Sequence, residues 1–260
     1  MRFFSKLLEV NEQFNFSDPS NDGEFWKCTE RADLLHIGSR EEDSKNGFTA
    51  RMLLILESKP LYNEVAYKSL IDEVVDEYFR DYEDHKERFR PSFLINDIRR
   101  YWYTLTVNFE DRRTRHPDSE QDSGIEARDR RYWNRLKIKY SRLLTCFSMQ
   151  ACLLQRGVDS EDVKDYINMT PLERVVHLKD AIPATAQSVD EIMAGYEWFL
   201  KLKNEQGCEW WDGKTNGRSN KDYAFENATR FKKAVLSMMH VLASENPELA
   251  LEADLVLMGA

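Results

Sequence analysis

The sequence predicts an all-α protein, a multi-helix bundle with two long polar loops. Apolar residues recur at helical spacing through most of the 260 residues, and no long stretch alternates with the two-residue period of a strand. Glycine, with 10 residues, and proline, with 7, are too scarce for the many tight turns of an all-β protein. Hydrophobic residues make up 42% of the chain, which is typical of a globular protein with a sizeable core.

Short helices separated by polar linkers are expected before residue 91. Helical patterns cover residues 1–13, 49–57 and 63–82, and residues 31–37 form a short apolar segment. Residues 14–27 and 38–47 are rich in Ser, Asp, Asn and Gly, which favour loops. The apolar run at 52–56 could be a strand or a helix on hydrophobicity alone. It has few β-branched residues and Lys59-Pro60 follows it, so we predict a short helix that ends before the proline.

The helix predicted at residues 91–110 is central to the fold. At 100° per residue, one side is apolar and carries Leu94, Ile98, Tyr101, Trp102, Leu105 and Phe109. We expect Leu94, Ile98, Trp102 and Leu105 to be buried together with Leu143 and Phe147. The opposite side carries side chains with directional hydrogen bonds: Asn96, Asp97, Arg100, Tyr103 and Thr104. This polar side either lines a ligand groove or makes ordinary hydrogen bonds between helices.

The remainder of the chain is predicted to be helical apart from two polar loops. The first loop is predicted at 111–131 and the second at 207–221, which contains Trp210-Trp211, a pair that either stacks a base or, as we favour, plugs the core. Helices are expected at 132–154, whose second half is apolar nearly all round, at 188–205, at 223–243 and at 247–257, with further helices starting at Ser160 and Thr170. The predicted divisions are 1–47, an N-terminal helix and linker; 48–157, the central bundle; and 158–260, a helical extension packed on it.

A basic stripe on the helix at 132–154 is the candidate anion site. Its cations Arg135, Lys139 and Arg142 repel one another, so acids on a neighbouring helix or a bound anion should offset the repulsion. Consecutive helices joined by a loop are commonly antiparallel neighbours. We therefore expect the two helices to share one groove, in which Asp97 orients Arg100 or accepts from a ribose hydroxyl. The predicted nucleotide- or anion-binding residues are Asn96, Asp97, Arg100, Tyr103, Arg135, Lys139 and Arg142.

Charge and cysteine usage limit the class of protein. The formal net charge of -9 excludes unspecific coating of nucleic acid, so any polyanion must bind a local basic patch. None of the four cysteines forms a CxxC pair, and Cys146 and Cys152 lie in an apolar helical pattern, so they should be buried free thiols of a reducing compartment. No apolar run reaches membrane-spanning length and no signal peptide opens the chain, so we expect a cytoplasmic protein that does not bind membranes.

Three segments of the sequence carry a family resemblance: GFTARMLLILESKPLYNEVAYKSLIDEVVDEYF, RPSFLINDIRRYWYTLTVNFE and WNRLKIKYSRLLTCFS. Together they cover roughly residues 31–154. They resemble the helical part that follows the catalytic core in a group of predicted bacterial nucleotidyltransferases of the DNA polymerase β-like superfamily. The resemblance implies that these helices form one wall of a nucleotide site. It also implies a catalytic core with a Gly-Ser loop and an Asp-x-Asp/Glu pair that holds two Mg²⁺ ions for phosphoryl transfer.

The sequence departs from that family at the catalytic core. Gly38-Ser39 is present, but the acids Glu41, Glu42 and Asp43 follow it too closely, and no predicted strand carries them. The acidic pairs at 81–83 and 159–161 fall at helix ends. Because two-metal catalysis needs a carboxylate pair, we assign no catalytic residue, metal site or cofactor to this chain. Mg²⁺ would be required only if a separate core supplies the catalytic carboxylates.

The sequence therefore predicts a helical nucleotide- or nucleic-acid-binding module that belongs to or derives from a nucleotidyltransferase. It would be inactive without a catalytic core on a protein partner. A non-enzymatic protein-interaction module is the alternative, since Arg and Tyr are also favoured at protein interfaces. A third reading is a ribonuclease of the HEPN type, because Arg31 and His36 have the Arg-x4-His spacing of that class.

Overall fold

The computed structural model confirms the all-α prediction. It describes residues 2–14, 28–38, 46–86, 89–115, 125–205 and 208–245. Within those ranges the only strands form one antiparallel pair of two residues each. No helix in the described ranges is both long enough and apolar enough to cross a membrane.

Twelve α-helices and one π-helical turn are present in the described ranges. In the first half they are α1 (Arg2–Gln13), α2 (Arg31–Leu35), α3 (Gly47–Glu57), α4 (Glu64–Tyr78), α5 (Tyr82–His85) and α6 (Ser92–Arg115). In the second half they are α7 (Ile125–Lys137), a π-helical turn (Ile138–Arg142), α8 (Leu143–Leu153), α9 (Ser160–Asn168), α10 (Pro171–Ala181), α11 (Ala186–Glu205) and α12 (Asn220–Glu245). Between α11 and α12 lie a 3₁₀ turn (Cys208–Asp212) and the strands β1 (Lys214–Thr215) and β2 (Arg218–Ser219); a second 3₁₀ turn (Pro183–Thr185) precedes α11.

Side-chain caps explain where several of these helices begin. The Asn63 side chain accepts a hydrogen bond from the Ala66 amide at the start of α4. Reciprocal capping boxes, formed by an N-cap side chain and an acid three residues later, start α9 at Asp159 and α10 at Thr170. In α10, Pro171 occupies the first helical position, where its missing N–H costs nothing. These starts agree with the predicted ones.

The centre of the core is α8. All eleven of its residues, Leu143–Leu153, are buried, as its apolar sequence predicts. It packs against α3, α6, α9, α10 and α12, and one continuous cluster of buried apolar side chains extends through both halves of the chain. The set predicted to be buried together is confirmed for Leu94, Ile98, Trp102, Leu143 and Phe147. The prediction was wrong for Leu105, which is only partly buried because it lies further along α6, at the edge of the core.

The first predicted long loop is shorter than expected, whereas the second agrees closely with the segment between α11, which ends at Glu205, and α12, which begins at Asn220. At 111–131 the helix α6 continues to Arg115 and α7 already begins at Ile125, so both ends are helical. Arg, Glu and Ala are good helix formers even without an apolar stripe, which accounts for the error. In the 207–221 region, Asn216 and Gly217 take positive φ values of 53° and 77° and close the hairpin of β1 and β2. Residues 116–124, most of 14–27 and 38–47, and the predicted helix at 247–257 lie outside the described residues.

Two buried thiols agree with the cysteine prediction. Cys146 and Cys152 are free and buried in α8, whereas Cys28 is free and exposed. Burial raises the pKa of both buried thiols, that of Cys152 to about 12. Neither thiol is therefore reactive in the folded protein.

Candidate anion-binding site

Three of the predicted site residues share an open depression on α6. Asn96, Arg100 and Tyr103 line it. The other described residues that line it also belong to α6: Arg99, Thr104, Val107 and Asn108. Its volume is about 380 Å³. The Arg100 guanidinium carbon lies 3.9 Å from the ring centroid of Phe48 on α3. The depression does not include Arg135, Lys139 or Arg142, the cations that were predicted to share a groove with this face.

Asp97 belongs to a buried network instead of the depression. Its Oδ2 accepts a hydrogen bond from the Tyr78 hydroxyl at 2.6 Å and one from Arg51 Nη2 at 3.2 Å. Arg51 is fully buried, and it also donates from Nε to the Tyr78 hydroxyl at 2.8 Å and from Nη1 to the Leu34 carbonyl at 3.3 Å. Burial and the nearby Asp97 carboxylate raise the pKa of Tyr78 well above its ordinary value. The network joins α2, α3, α4 and α6, whereas we predicted that Asp97 would orient Arg100 or accept from a ribose hydroxyl.

The predicted basic stripe is divided between two neighbours. Arg142 forms an ion pair with Glu57 at the end of α3. Arg135 and Lys139 lie on the opposite side of the helix, against α12. The division follows from the π-helical turn at Ile138–Arg142, since a π turn holds more residues than an α turn and rotates the residues beyond it away from the preceding stripe. These contacts direct Arg142 toward α3 and Arg135 toward α12, so they do not form the groove that was predicted with α6.

Cations from two helices alternate with aromatic rings where α7 packs on α12. The Lys221 ammonium lies 5.3 Å from the ring centroid of Tyr132, and the Arg135 guanidinium carbon lies 4.7 Å from that of Phe225. Both contacts are within the range of cation–π attraction. The aromatic rings thus fix the positions of the two cations along the contact between the helices.

Lys139 lies further along the same contact, beside a second lysine. Partial burial lowers the pKa of Lys139, and the positive charges of Lys232 on α12 and Arg135 lower it further. Within the described ranges, no carboxylate forms an ion pair with Lys221, Arg135 or Lys139. We refer to Lys221, Arg135, Lys139 and Lys232 together as the cationic seam.

The acids closest to the cationic seam on α12 are engaged elsewhere. The Asp222 carboxylate accepts a hydrogen bond from the Ser219 hydroxyl at 2.7 Å, and Glu226 forms an ion pair with Arg218. Both partners belong to β2, so the hairpin holds these carboxylates on its own side of α12. Neither carboxylate is therefore paired with Lys221, Arg135 or Lys139.

The residues of α12 that complete the seam were missed in the sequence. Lys221, Phe225 and Lys232 are spaced at i, i+4 and i+11, which places them on one helical face. That signal was available, but only the structure shows that this face meets Arg135 and Lys139. Trp211, by contrast, plugs the core as favoured: it is buried, and its ring centroid lies 5.0 Å from that of Tyr132.

The described residues of the two alternative catalytic predictions, the acidic pairs and the Arg-x4-His spacing, have structural positions or partners. Among the described residues, no group of three or more His, Cys, Asp or Glu side chains is placed to hold a metal ion. Asp159 caps α9, Asp81 immediately precedes α5, and residues 39–45 lie outside the described ranges. Arg31 of the Arg-x4-His spacing forms an ion pair with Glu73 on α4, while His36 is exposed at the end of α2.

Comparison with known proteins gives no information on the function of this chain. The sequence matches no family model, no curated protein and no solved structure.

Proposed function

We propose that this protein is a helical module that binds a phosphate-bearing ligand, a nucleotide or a nucleic acid, at the cationic seam. The observation that carries the proposal is the half-buried Lys139, which feels the positive charges of Lys232 and Arg135 and has no carboxylate paired to it among the described residues. A lysine held among like charges is electrostatically unfavourable until an anion arrives.

Phosphate suits this site better than a carboxylate of the protein would. The Arg135 guanidinium offers paired N–H donors in a fixed plane, and the lysines offer mobile point charges. The field is local, because the protein as a whole is acidic and repels polyanions away from the seam. A ligand must therefore reach the contact between α7 and α12 to be held.

The proposal assigns no transfer chemistry to this chain. The resemblance to nucleotidyltransferase helices supports a role as one wall of a nucleotide site, and a separate core would carry the carboxylate pair and its Mg²⁺. The protein partner in that case is the core itself. This chain would contribute binding and orientation of the phosphates.

Binding measured by fluorescence anisotropy and calorimetry tests the proposal. The panel contains nucleoside triphosphates and short labelled oligonucleotides. Loss of one charge-assisted contact costs about 1.5–3 kcal/mol, so Lys139→Gln should raise Kd by roughly 10- to 150-fold. Lys233→Gln is the matched control, because Lys233 is exposed on the same helix beside Lys232 and removes the same charge.

Two results would contradict the proposal. The first is the absence of binding to every member of the panel by the wild-type protein. The second is binding that Lys139→Gln and Lys233→Gln weaken equally, since that would reflect total charge and not the seam.

A further inference from the structure

We infer that two copies of this protein associate through an apolar patch at the start of α4, formed by Leu61, Tyr62 and Val65. The inference goes beyond the function proposed above and does not depend on any ligand of the cationic seam. It is carried by the exposure of the three side chains, by the hydrogen bonds that fix their backbone, by the area that they offer and by the charges around them.

The three side chains of the apolar patch are the most exposed large hydrophobic side chains among the described residues. Leu61 is 93% exposed, Tyr62 is 92% exposed and Val65 is 80% exposed. They lie within five consecutive residues, in the connection between α3 and α4 and in the first turn of α4. Single exposed apolar residues are common on proteins, but apolar side chains that are grouped on the surface mark an interaction site.

Hydrogen bonds on both sides of the apolar patch fix the backbone that carries it. Before the patch, the Lys59 ammonium donates to the Asn168 carbonyl at the end of α9 at 2.7 Å, and the ring of Pro60 restricts φ. After it, Asn63 has a positive φ of 52°, and its side chain accepts a hydrogen bond from the Ala66 amide at 3.2 Å. A backbone that is already ordered loses little conformational entropy when a partner covers it.

The area of the apolar patch is sufficient for a small dimer interface. A fully exposed Leu or Val side chain offers about 60–120 Å² of apolar surface and a Tyr about 150–250 Å², so the patch offers roughly 300–450 Å². A two-fold interface buries the same patch on both copies, which gives about 600–900 Å² in total. The exposed stem of Lys68 extends this area toward the roughly 1,000 Å² of a specific interface. We therefore expect a dimer whose Kd is on the order of 1–100 μM.

The charges around the apolar patch favour a second copy of the protein over an anionic surface. Four charged residues lie within four positions of the patch, two acidic and two basic: Glu57, Glu64, Lys59 and Lys68. An anionic membrane or a nucleic acid would require a cationic rim, which these residues do not supply. Two molecules with a net charge of -9 repel each other as a whole, and this repulsion is smallest where the local charges cancel.

The order of charges along α4 is self-complementary. Glu64 and Lys68 form an ion pair of 2.9 Å one helical turn apart, and their side chains are 66% and 61% exposed. When two copies of α4 cross antiparallel about a two-fold axis near Val65, each Val65 meets its counterpart. The Glu64 carboxylate of each copy then lies level with the Lys68 ammonium of the other copy. Ion pairs within each copy can therefore be shared between the copies, and no charge is left unpaired.

Sedimentation velocity of the full chain from about 1 to 200 μM measures dimer formation. We expect the wild type to pass from monomer to dimer across this range. Val65→Ser should raise the Kd of the dimer roughly tenfold or more, because both copies lose an apolar side chain from the interface. Val107→Ser is the matched control, because it makes the same change at another exposed position on a helix, and it should dimerise like the wild type. Both variants should keep the thermal midpoint of the wild type in circular dichroism, since neither side chain is in the core.

A pair of charge reversals tests the two-fold contact directly. Glu64→Lys alone and Lys68→Glu alone each place like charges opposite one another at both symmetric positions, so each variant should dimerise more weakly than the wild type. An equimolar mixture of the two variants restores unlike charges at both positions. The mixture should therefore recover the association of the wild type.

Three results would overturn the inference. A wild type that stays monomeric to the highest concentration would show that the apolar patch serves a partner other than a second copy. Equal dimerisation of Val65→Ser and Val107→Ser would place the interface elsewhere on the protein. A mixture of the charge variants that associates no better than either variant alone would exclude the antiparallel two-fold contact. None of these measurements contains a nucleotide or nucleic acid, so their failure is distinct from failure of the proposed function.

Discussion

Replacing Asp97 with alanine should lower the free energy of unfolding by about 3–5 kcal/mol, because it removes a carboxylate that is paired with a buried guanidinium. The Arg51 side chain is fully buried, and that of Asp97 is 15% exposed. In the alanine variant the Arg51 guanidinium loses its hydrogen bond to a carboxylate, while its bonds to two neutral acceptors, the Tyr78 hydroxyl and the Leu34 carbonyl, remain.

The geometry makes a graded prediction across three substitutions. Both hydrogen bonds to Asp97 end on the same oxygen, Oδ2, so an asparagine can keep both with its single carbonyl oxygen. Asp97→Asn therefore removes charge without removing acceptors, and should cost about 1–2 kcal/mol. Tyr78→Phe removes the hydroxyl that bridges Arg51 and Asp97, and should cost about 1–3 kcal/mol.

Urea unfolding followed by circular dichroism measures these differences. In a protein of this size about 1 kcal/mol corresponds to roughly 2–4 °C in Tm, so Asp97→Ala should lower Tm by about 6–20 °C. Asp165→Asn, at an exposed position on α9, is the control and should stay within about 0.5 kcal/mol of wild type. The reasoning is refuted if Asp97→Ala is as stable as this control, or if the asparagine and alanine variants lose the same stability.

Three further predictions concern the seam, the plug and the thiols. Lys139→Gln should stabilise the folded protein in urea titrations by about 0.2–0.5 kcal/mol near neutral pH, because it removes a like-charge pair with Arg135. This gain in stability should shrink as pH rises through the lowered pKa of Lys139, because the folded wild type then loses the lysine charge before the unfolded chain does. A gain that stays constant as pH is raised would contradict this charge repulsion. Trp211→Ala should cost about 3–5 kcal/mol of unfolding free energy, measured the same way, because the ring is buried; a cost below about 1 kcal/mol would mean that it is no plug. A thiol reagent at pH 8 should label Cys28 in the native protein and Cys152 only after unfolding, since burial raises the pKa of Cys152 to about 12; equal native labelling rates would argue against this burial.

Features that depend on one helix at a time could be predicted from the sequence. Periodicity identified the buried face of α6 and the all-round burial of α8, because both follow from residue order along one helix. The helix starts at Ser160 and Thr170 were predictable for the same reason, since a cap involves only neighbouring residues.

Features that depend on the choice of neighbour could not be predicted. The sequence gives no indication that Lys139 meets Lys232, because the two residues lie far apart in the chain and only packing brings α12 against α7. The pairing of Arg51 with Asp97 was missed because an arginine in an apolar helix does not identify its acceptor. The predicted stripe extended to Arg142 because an α-helical period was assumed, and the π-helical turn breaks that period.

The complete burial of α8 has a consequence for synthesis of the protein. A helix with eleven consecutive buried residues has no side that tolerates water, and its covering helices come from both before and after it in the chain. During translation α8 leaves the ribosome before α10 and α12 exist, so its apolar surface must remain unprotected until they follow. A fragment ending near residue 157 would be left in that state permanently and would aggregate. Coverage of α8 in the nascent chain is therefore complete only after α12 has been synthesised.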